Sequence, residues 1–283
     1  MIFLKIGYLG PVGTFTQQAA NTMFPQGELI PIRDIDGVFE SVAQGNCDAG
    51  VVPIENSTEG QVNSTLDALL REEEINIDSL LILPVGHALM GASPAGNAEK
   101  IFAHPQAHAQ CRKYIRSNLP EAELIDCASN GEAAVKVANN AGEPWVAIGS
   151  PAAAREYGLY IWADEIQDVV FNSTAFIQIG KTKSQAPKPK CRTSLAFSTE
   201  NRHGALFRMI GILERYSVNM TKILSRPMPE RPGEYVFFVD IEDYRAEDAE
   251  TALAQIEKEA TIYKFLGSYP VSTHNERRVY RWK

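Results

Sequence analysis

The sequence predicts an α/β fold in two domains that are joined by a short polar linker. Short apolar runs alternate with amphipathic helical segments over the first 180 residues, and a strand–helix–strand–strand–helix–strand order occupies residues 192–270. A chain of 283 residues is long enough to bury two hydrophobic cores. We therefore expect a larger domain at 1–181, a linker at 182–191, a smaller domain at 192–270 and a C-terminal tail at 271–283.

In the larger domain, buried and mostly parallel strands are expected to alternate with helices. Strands are predicted at 5–9, 48–54, 80–84, 100–103, 145–149 and 177–180, and helices at 15–24, 37–44, 107–116 and 131–139. Either Thr14 or Thr16 is the expected cap of the first helix. Ligands of such sheets bind at the carboxyl ends of the strands, so polar residues at those ends are the first candidates for a site.

Residues 181–190 form the best linker candidate, because they include four lysines, two prolines and no bulky apolar side chain. Beyond them, strands are predicted at 192–198, 220–226, 234–241 and around 264–267, with helices at 205–216 and 246–259. This order is typical of a ferredoxin-like module with a regulatory or binding role.

Composition and charge exclude several classes of protein. Hydrophobic residues make up 45% of the chain and charged residues 22%, which is the ordinary composition of a globular protein. This composition excludes a disordered, collagenous or coiled-coil chain. The net charge of −8 argues against nucleic acid or an acidic membrane as a partner, so an anionic ligand needs a local site. Neither a signal peptide nor an apolar run of about 18 residues is present, and the four cysteines are scattered, so we expect a cytoplasmic protein.

Four polar clusters follow predicted strands, at residues 10–16, 53–60, 103–111 and 172–176. The first could hold an anion at a helix N-terminus or could be an ordinary capped turn. The second is denser in hydrogen-bonding side chains than a plain solvated loop usually is, whereas the fourth, taken alone, is typical of a turn. In the third, His104 and His108 lie four residues apart, but no HExxH carboxylate accompanies them, and Pro105 places His104 in a turn. We expect neither a metal nor a cofactor.

Taken together, these clusters resemble motifs of the prephenate dehydratase family, in the same order along the chain. The matching segments are GPVGTFT, VVPIENSTEG, HPQAHAQC, NSTAF, GALF, and SRP followed by GEYVFFVD. The resemblance extends from Gly7 to about Pro270. It implies a two-lobed catalytic domain similar to a type II periplasmic binding protein, followed by an ACT domain that senses phenylalanine.

The resemblance also implies the reaction: prephenate is converted to phenylpyruvate, water and carbon dioxide during phenylalanine biosynthesis. Aromatisation supplies the driving force, so the protein must position the substrate and stabilise the departing hydroxyl. Thr174 matches the family's catalytic threonine, and Glu55, Glu59 and His104 are given structural or supporting roles. The residues that the resemblance implies for substrate binding are Thr14, Thr16, Asn56, Ser57, Thr58, Gln110, Asn172 and Phe176.

For regulation, the resemblance implies that L-phenylalanine binds the ACT domain as an allosteric effector and that the chain forms a homodimer or homotetramer. Gly204 precedes a predicted helix and leaves backbone N–H groups free for the effector's carboxylate. The residues implied for this site are Gly204, Ala205, Leu206, Leu224, Ser225, Arg226 and Pro227.

Three positions depart from the family pattern. Ala175 stands where the family has arginine, Ala103 stands where serine is frequent, and Leu224 replaces a glutamate. Ala175 and Ala103 bear on the affinity for substrate, and Leu224 bears on feedback inhibition by phenylalanine. Two alternatives therefore stay open: arogenate dehydratase, and a catalytically weakened paralogue that acts as an amino-acid sensor.

Overall fold

The computed structural model describes residues 3–169, 171–181, 185–228, 233–242 and 245–273. Its strands are β1 (Lys5–Leu9), β2 (Glu28–Ile32), β3 (Ala49–Asn56), β4 (Gly60–Gln61), β5 (Asn76–Pro84), β6 (Ala88–Gly91), β7 (Lys100–Ala103), β8 (Glu123–Asp126), β9 (Trp145–Gly149), β10 (Tyr160–Ala163), β11 (Ser173–Gly180), β12 (Arg192–Ser198), β13 (Asn219–Pro227), β14 (Tyr235–Glu242), β15 (Ile262–Tyr269) and β16 (Val271–Thr273). Its helices are α1 (Phe15–Met23), α2 (Ile35–Ala43), α3 (Asn63–Arg71), α4 (Pro105–Gln110), α5 (Arg112–Asn118), α6 (Asn130–Asn139), α7 (Pro151–Glu156), α8 (Ala205–Arg215) and α9 (Ala246–Glu259).

These elements form three sheets, one in each of two lobes and one in a smaller domain. The first lobe contains a sheet in the order β16-β5-β11-β3-β1-β2, with β4 paired to β3, and the second lobe a sheet in the order β10-β6-β9-β7-β8. The smaller domain has the order β13-β14-β12-β15, with α8 and α9 packed on one face. The predicted α/β class and the ferredoxin-like order are confirmed.

Three sequence predictions about the elements are wrong. The strands are not mostly parallel, because β11 runs antiparallel to both β3 and β5, and β6 runs antiparallel to β9 and β10. The single helix expected at 107–116 is two helices, α4 and α5, which meet at Cys111. Residues 271–273, expected in a tail, add strand β16 in parallel to β5 of the first lobe.

Two crossover segments connect the lobes. The chain leaves the first lobe between β5 and β6 and returns between β10 and β11. The two segments are hydrogen-bonded to each other: the Ile166 N–H donates to the His87 carbonyl at 2.9 Å, and the Val85 N–H donates to the Asn172 carbonyl at 2.9 Å. The segments therefore form the floor of the space between the lobes, as a hinge does in a two-lobed protein.

The first lobe and the smaller domain share a hydrophobic core. Side chains of α2, α3, β3, β5 and β11 form one cluster with side chains of the smaller sheet, on the sheet face opposite α8 and α9. The backbones come very close where Gly267 of β15 meets β5, since a Cβ atom at this position would lie 2.3 Å from the Ile77 carbonyl oxygen. Glycine is required there by this close approach, and the smaller domain is packed directly on the first lobe.

Within the described residues, no helix combines the length and the apolar character that a bilayer crossing needs.

Candidate active site

The central pair of the site lies at the ends of two neighbouring strands of the first lobe. Thr174 of β11 is directly opposite Asn56 of β3 in the antiparallel register. The Asn56 Nδ2 atom donates a hydrogen bond to Thr174 Oγ1 at 2.8 Å, and Thr174 is only 8% exposed. The two residues are 118 positions apart in sequence, so this contact exists only because β11 returns from the second lobe and inserts beside β3.

A tight turn after β3 holds the Asn56 amide in place. The Asn56 Oδ1 atom accepts hydrogen bonds from the Thr58 N–H at 2.9 Å, the Thr58 hydroxyl at 2.6 Å and the Glu59 N–H at 3.2 Å. With its oxygen occupied in this way, the amide must direct its NH₂ group toward Thr174. The turn therefore orients Asn56 as a donor to the threonine oxygen.

Ser57 and Asn172 extend the same network. The Ser57 hydroxyl accepts from the Ser173 N–H at 3.0 Å and lies 3.2 Å from Asn172 Oδ1, to which it donates. Asn172 is 5% exposed. A buried amide that is bonded through its oxygen in this way is held rigidly, which is the condition for positioning a polar ligand.

Gln110 brings the second lobe into the site. This residue ends α4, and its Nε2 atom donates to Glu59 Oε1 of the first lobe at 3.1 Å. Its Oε1 atom lies 2.8 Å from His87 Nε2 and 3.4 Å from Asn172 Nδ2. The Gln110 side chain thus contacts the first lobe at Glu59, the hinge at His87, and the segment that leads back into β11 at Asn172.

Desolvation shifts the pKa values of two side chains at this junction. Desolvation raises the pKa of the Glu59 carboxyl, against the opposing effects of a hydrogen bond from Gln106 and the nearby His104. Desolvation lowers the pKa of the His87 imidazole, and its hydrogen bond with Gln110 acts in the opposite direction. His87 is 3% exposed, and this burial favours the neutral form of its ring.

The structure does not bring every candidate into this network. Thr14 caps α1, with its hydroxyl oxygen 3.2 Å from the Gln17 N–H that donates to it. Thr16 is 5% exposed on the buried side of α1, and Phe176 is 2% exposed in the core between α1 and the sheet. The turn before α1 meets the second lobe instead, because the Ser150 hydroxyl donates to the Gly13 carbonyl at 2.8 Å.

The two histidines of the HPQAHAQ segment have structural roles. The His104 Nδ1 atom accepts from the Gln106 N–H and caps α4. The His108 ring lies 3.1 Å from both Asp126 Oδ1 and the Ile101 carbonyl oxygen, within the second lobe. Across the part of the chain that the structure describes, no three histidine, cysteine or acidic side chains are grouped as metal ligands would be.

The candidate regulatory residues lie on two elements of the smaller domain. Gly204 has a φ of +73° and precedes α8 without a side-chain cap, so the first N–H groups of the helix receive no bond from that position. On strand β13, residues alternate between the two sides: Ser225 is exposed, whereas Leu224 and Arg226 face the first lobe. Arg226 makes two bonds of 2.6 and 2.7 Å to Asp67 of α3.

Two of the unusual residues lie at the same domain interface. Ala175 and Leu224 both pack against the core shared by the first lobe and the smaller domain. Since successive strand residues point to opposite faces, Ala175 faces away from the side on which Thr174 meets Asn56. A side chain at this position therefore points toward the domain interface and away from the face on which Thr174 contacts Asn56.

Sequence reasoning missed His87 and Lys222. His87 is a single histidine in an apolar run, and nothing in its spacing connects it to Gln110, 23 residues away. Lys222 looks like an ordinary exposed lysine of an edge strand, yet it bonds to Glu55 across the domain interface. Neither residue has a local pattern that could have revealed its partner.

The fold and the site define a class of protein: a two-lobed fold with a network of polar side chains at its hinge, to which a ferredoxin-like domain is docked. The family model for prephenate dehydratase matches residues 6–184, and the model for the ACT domain matches residues 193–261. The chain belongs to the prephenate dehydratase family. The expected family, fold and enzyme class are confirmed.

Individual relatives agree with this assignment over nearly the whole chain. The prephenate dehydratase of Lactococcus lactis subsp. lactis is 36% identical, over 96% of this chain and 100% of its own. The structure of Arthrobacter aurescens prephenate dehydratase in complex with L-Phe superposes with a TM-score of 0.85 at 29% identity, covering 94% and 90% of the two chains. A protein described as a quorum quenching acylase, GqqA, has the same TM-score at 26% identity, covering 95% and 98%.

Proposed function

We propose that the cleft at the hinge converts prephenate to phenylpyruvate, water and carbon dioxide, with Thr174 beside the hydroxyl that leaves. The observation that carries this assignment is the 2.8 Å hydrogen bond from Asn56 to Thr174, made at adjacent strand ends beneath Gln110 of the opposite lobe. The groups around this bond are mainly neutral amides and hydroxyls, which suits a reaction that needs positioning and stabilisation of a departing oxygen.

Thr174 acts as a hydrogen-bond donor to the leaving oxygen. Asn56 occupies the threonine oxygen as a donor, so the hydroxyl hydrogen is directed elsewhere, and no protein acceptor takes it within the described residues. An alcohol does not release its proton readily, so it relays or shares a proton in the transition state. As the hydroxyl leaves, the carbon–carbon bond between the ring and its carboxylate breaks. The electrons of that bond complete the aromatic ring, and carbon dioxide departs.

The two carboxylates and the keto group of prephenate are held by uncharged groups. Gln110, Asn172 and the hydroxyls of Ser57 and Thr58 are the nearest candidates, because they already surround the Asn56–Thr174 pair. The N-terminus of α1, with Thr14 and Thr16, supplies helix N–H groups and a favourable dipole for one carboxylate. Phe176 supports Thr174 from the core below it.

The smaller domain, with the linker at 182–191 before it, senses L-phenylalanine and inhibits the enzyme. The N-terminus of α8 at Gly204 and the outward-facing Ser225 of β13 are the proposed contacts. Strand β13 is an edge of its sheet, Phe207 is 80% exposed and Ile223 is 40% exposed, so a second copy of the chain can pair along this edge and complete the site. We propose a cytoplasmic homodimer or homotetramer.

An assay with the purified chain tests this function. Phenylpyruvate should form from prephenate, and a parallel assay with arogenate should give much slower conversion to phenylalanine. Faster turnover of arogenate would reassign the substrate, and turnover of neither would favour the alternative of a catalytically weakened paralogue that acts as an amino-acid sensor. Light scattering at micromolar concentration, with and without phenylalanine, should give at least a dimer, and a monomer in both conditions would contradict the proposed effector site.

A further inference from the structure

The His87 side chain lies where both lobes and the hinge meet. Its backbone is part of the hinge: the N–H donates to Gln167 Oε1 at 2.8 Å, and the carbonyl accepts from the Ile166 N–H at 2.9 Å. Its ring contacts Phe15 of α1 edge to face, with centroids 5.9 Å apart and an interplanar angle of 79°. The ring is therefore fixed by the two crossover segments and by the first lobe.

We propose that His87 is a positioning residue for the dehydratase reaction, which holds the Gln110 amide toward the substrate through its Nε2–H group. The proposal rests on the proposed function, because Gln110 is there assigned to substrate binding. Gln110 belongs to the second lobe, whereas His87 belongs to the hinge, so the bond ties this amide to the hinge.

The hydrogen bonds determine which nitrogen of His87 carries the proton. Gln110 directs its NH₂ group to Glu59 at 3.1 Å, so the atom that faces His87 is the amide oxygen. An amide oxygen only accepts, so His87 Nε2 must be the donor. In a neutral ring the other nitrogen then bears a lone pair, and His87 Nδ1 is buried and has no hydrogen-bond partner within the described residues. A proton on Nδ1 would therefore be buried without an acceptor.

Without this donor, the Gln110 oxygen keeps only the longer 3.4 Å contact with Asn172 Nδ2. The amide would then be held mainly through its bond to Glu59, and its oxygen would no longer stand at a defined position. A ring that only fills space between Phe15 and the hinge would have a different signature, because any apolar side chain of similar length could replace it.

Two substitutions of nearly equal shape separate these roles. His87→Gln retains an N–H donor near the position of Nε2, whereas His87→Met is similar in length and flexible enough to fill the site but has no donor. We expect His87→Met to lower kcat/KM for prephenate about tenfold and His87→Gln to stay within about threefold of the native value. Thermal unfolding of both variants shows whether each is folded. Equal losses in the two variants would overturn the proposal.

A cycle with Gln110→Ala tests whether His87 acts through Gln110. In the Gln110→Ala background, His87→Met should change kcat/KM by less than about twofold, since there is no amide left to position. An unchanged tenfold loss in that background would overturn the proposal and leave the proposed function standing. A normal rate for both Gln110→Ala and Thr174→Ala would instead overturn the proposed function itself.

A ¹⁵N NMR spectrum of the native histidines provides a measurement that does not depend on a variant's activity. The His87 signals, identified by their loss in His87→Gln, should show a neutral ring with the proton on Nε2. A ring protonated on Nδ1 alone would overturn the proposal.

Discussion

Lys222 of the ACT domain bonds to Glu55 of the catalytic domain, with 2.6 Å between Nζ and Oε2, and it also lies 3.0 Å from Gln61 Oε1. Glu55 is the neighbour of Asn56 on β3, and the two side chains point to opposite faces of the strand. One face of the strand end thus contacts the ACT domain while the other contacts Thr174. Strand β13 is thus connected to the Asn56–Thr174 pair through a single residue step along β3.

The first prediction is that Lys222→Met weakens inhibition by phenylalanine. The ion pair is partly exposed and contributes little to stability, so the fold should be retained, while the link to β3 is lost. We expect the phenylalanine concentration for half-inhibition to rise about three- to tenfold, a typical size for a lost coupling. A phenylalanine titration of dehydratase activity measures this concentration for half-inhibition.

The matched control is Asp67→Asn, which breaks another ion pair between the same two domains, with Arg226, at a position on α3. Inhibition should change by less than about twofold in this variant. Equal effects of the two substitutions would show that general loosening of the interface, rather than the Lys222–Glu55 link, controls feedback.

The second prediction concerns Ala175→Arg. Ala175 is directly opposite Glu55 in the strand register, so a guanidinium there would compete with Lys222 for the Glu55 carboxylate. We expect weaker inhibition by phenylalanine and little change in KM for prephenate, because this side chain faces the domain interface. Ala175→Met, which adds bulk without charge, is the control. A several-fold tighter KM in Ala175→Arg alone would instead place the guanidinium beside the substrate.

The third prediction is that Thr174→Ala lowers kcat at least about a hundredfold, because the lost hydrogen bond to the leaving oxygen is formed mainly in the transition state. Thr174→Ser keeps a hydroxyl at the same position beside Asn56 and should recover most of the rate. Circular dichroism and thermal unfolding establish that both variants are folded. Near-native turnover of Thr174→Ala would remove this residue from the mechanism.

The fourth prediction is an acid limb in the pH dependence of kcat/KM that arises from Glu59. Its folded-state pKa is raised, so the carboxylate that accepts from Gln110 is lost as the pH falls through a range above that of an ordinary glutamate. Glu59→Gln offers an amide oxygen that accepts the same bond without titrating, so its profile should be flatter on the acid side. An identical acid limb in both proteins would assign the limb to another group.

Much of the fold could be predicted from local sequence alone. The strand at Lys5–Leu9, the helix α9 at Ala246–Glu259 and the ferredoxin-like order follow from hydrophobic periodicity, which acts over a few residues. The motif resemblance identified the family, and it also implied the roles proposed for Thr174, Asn56 and Gln110, because those segments lie intact in the chain.

The relationships between these segments were decided only by the tertiary structure. The Asn56–Thr174 bond depends on β11 inserting antiparallel beside β3, the His87–Gln110 bond on the hinge facing α4, and the Lys222–Glu55 bond on the docking of the ACT sheet. Periodicity reports which face of an element is buried but not which element covers it. Partners 118, 23 and 167 residues apart are chosen by sheet order and domain packing, which no local pattern in the sequence contains.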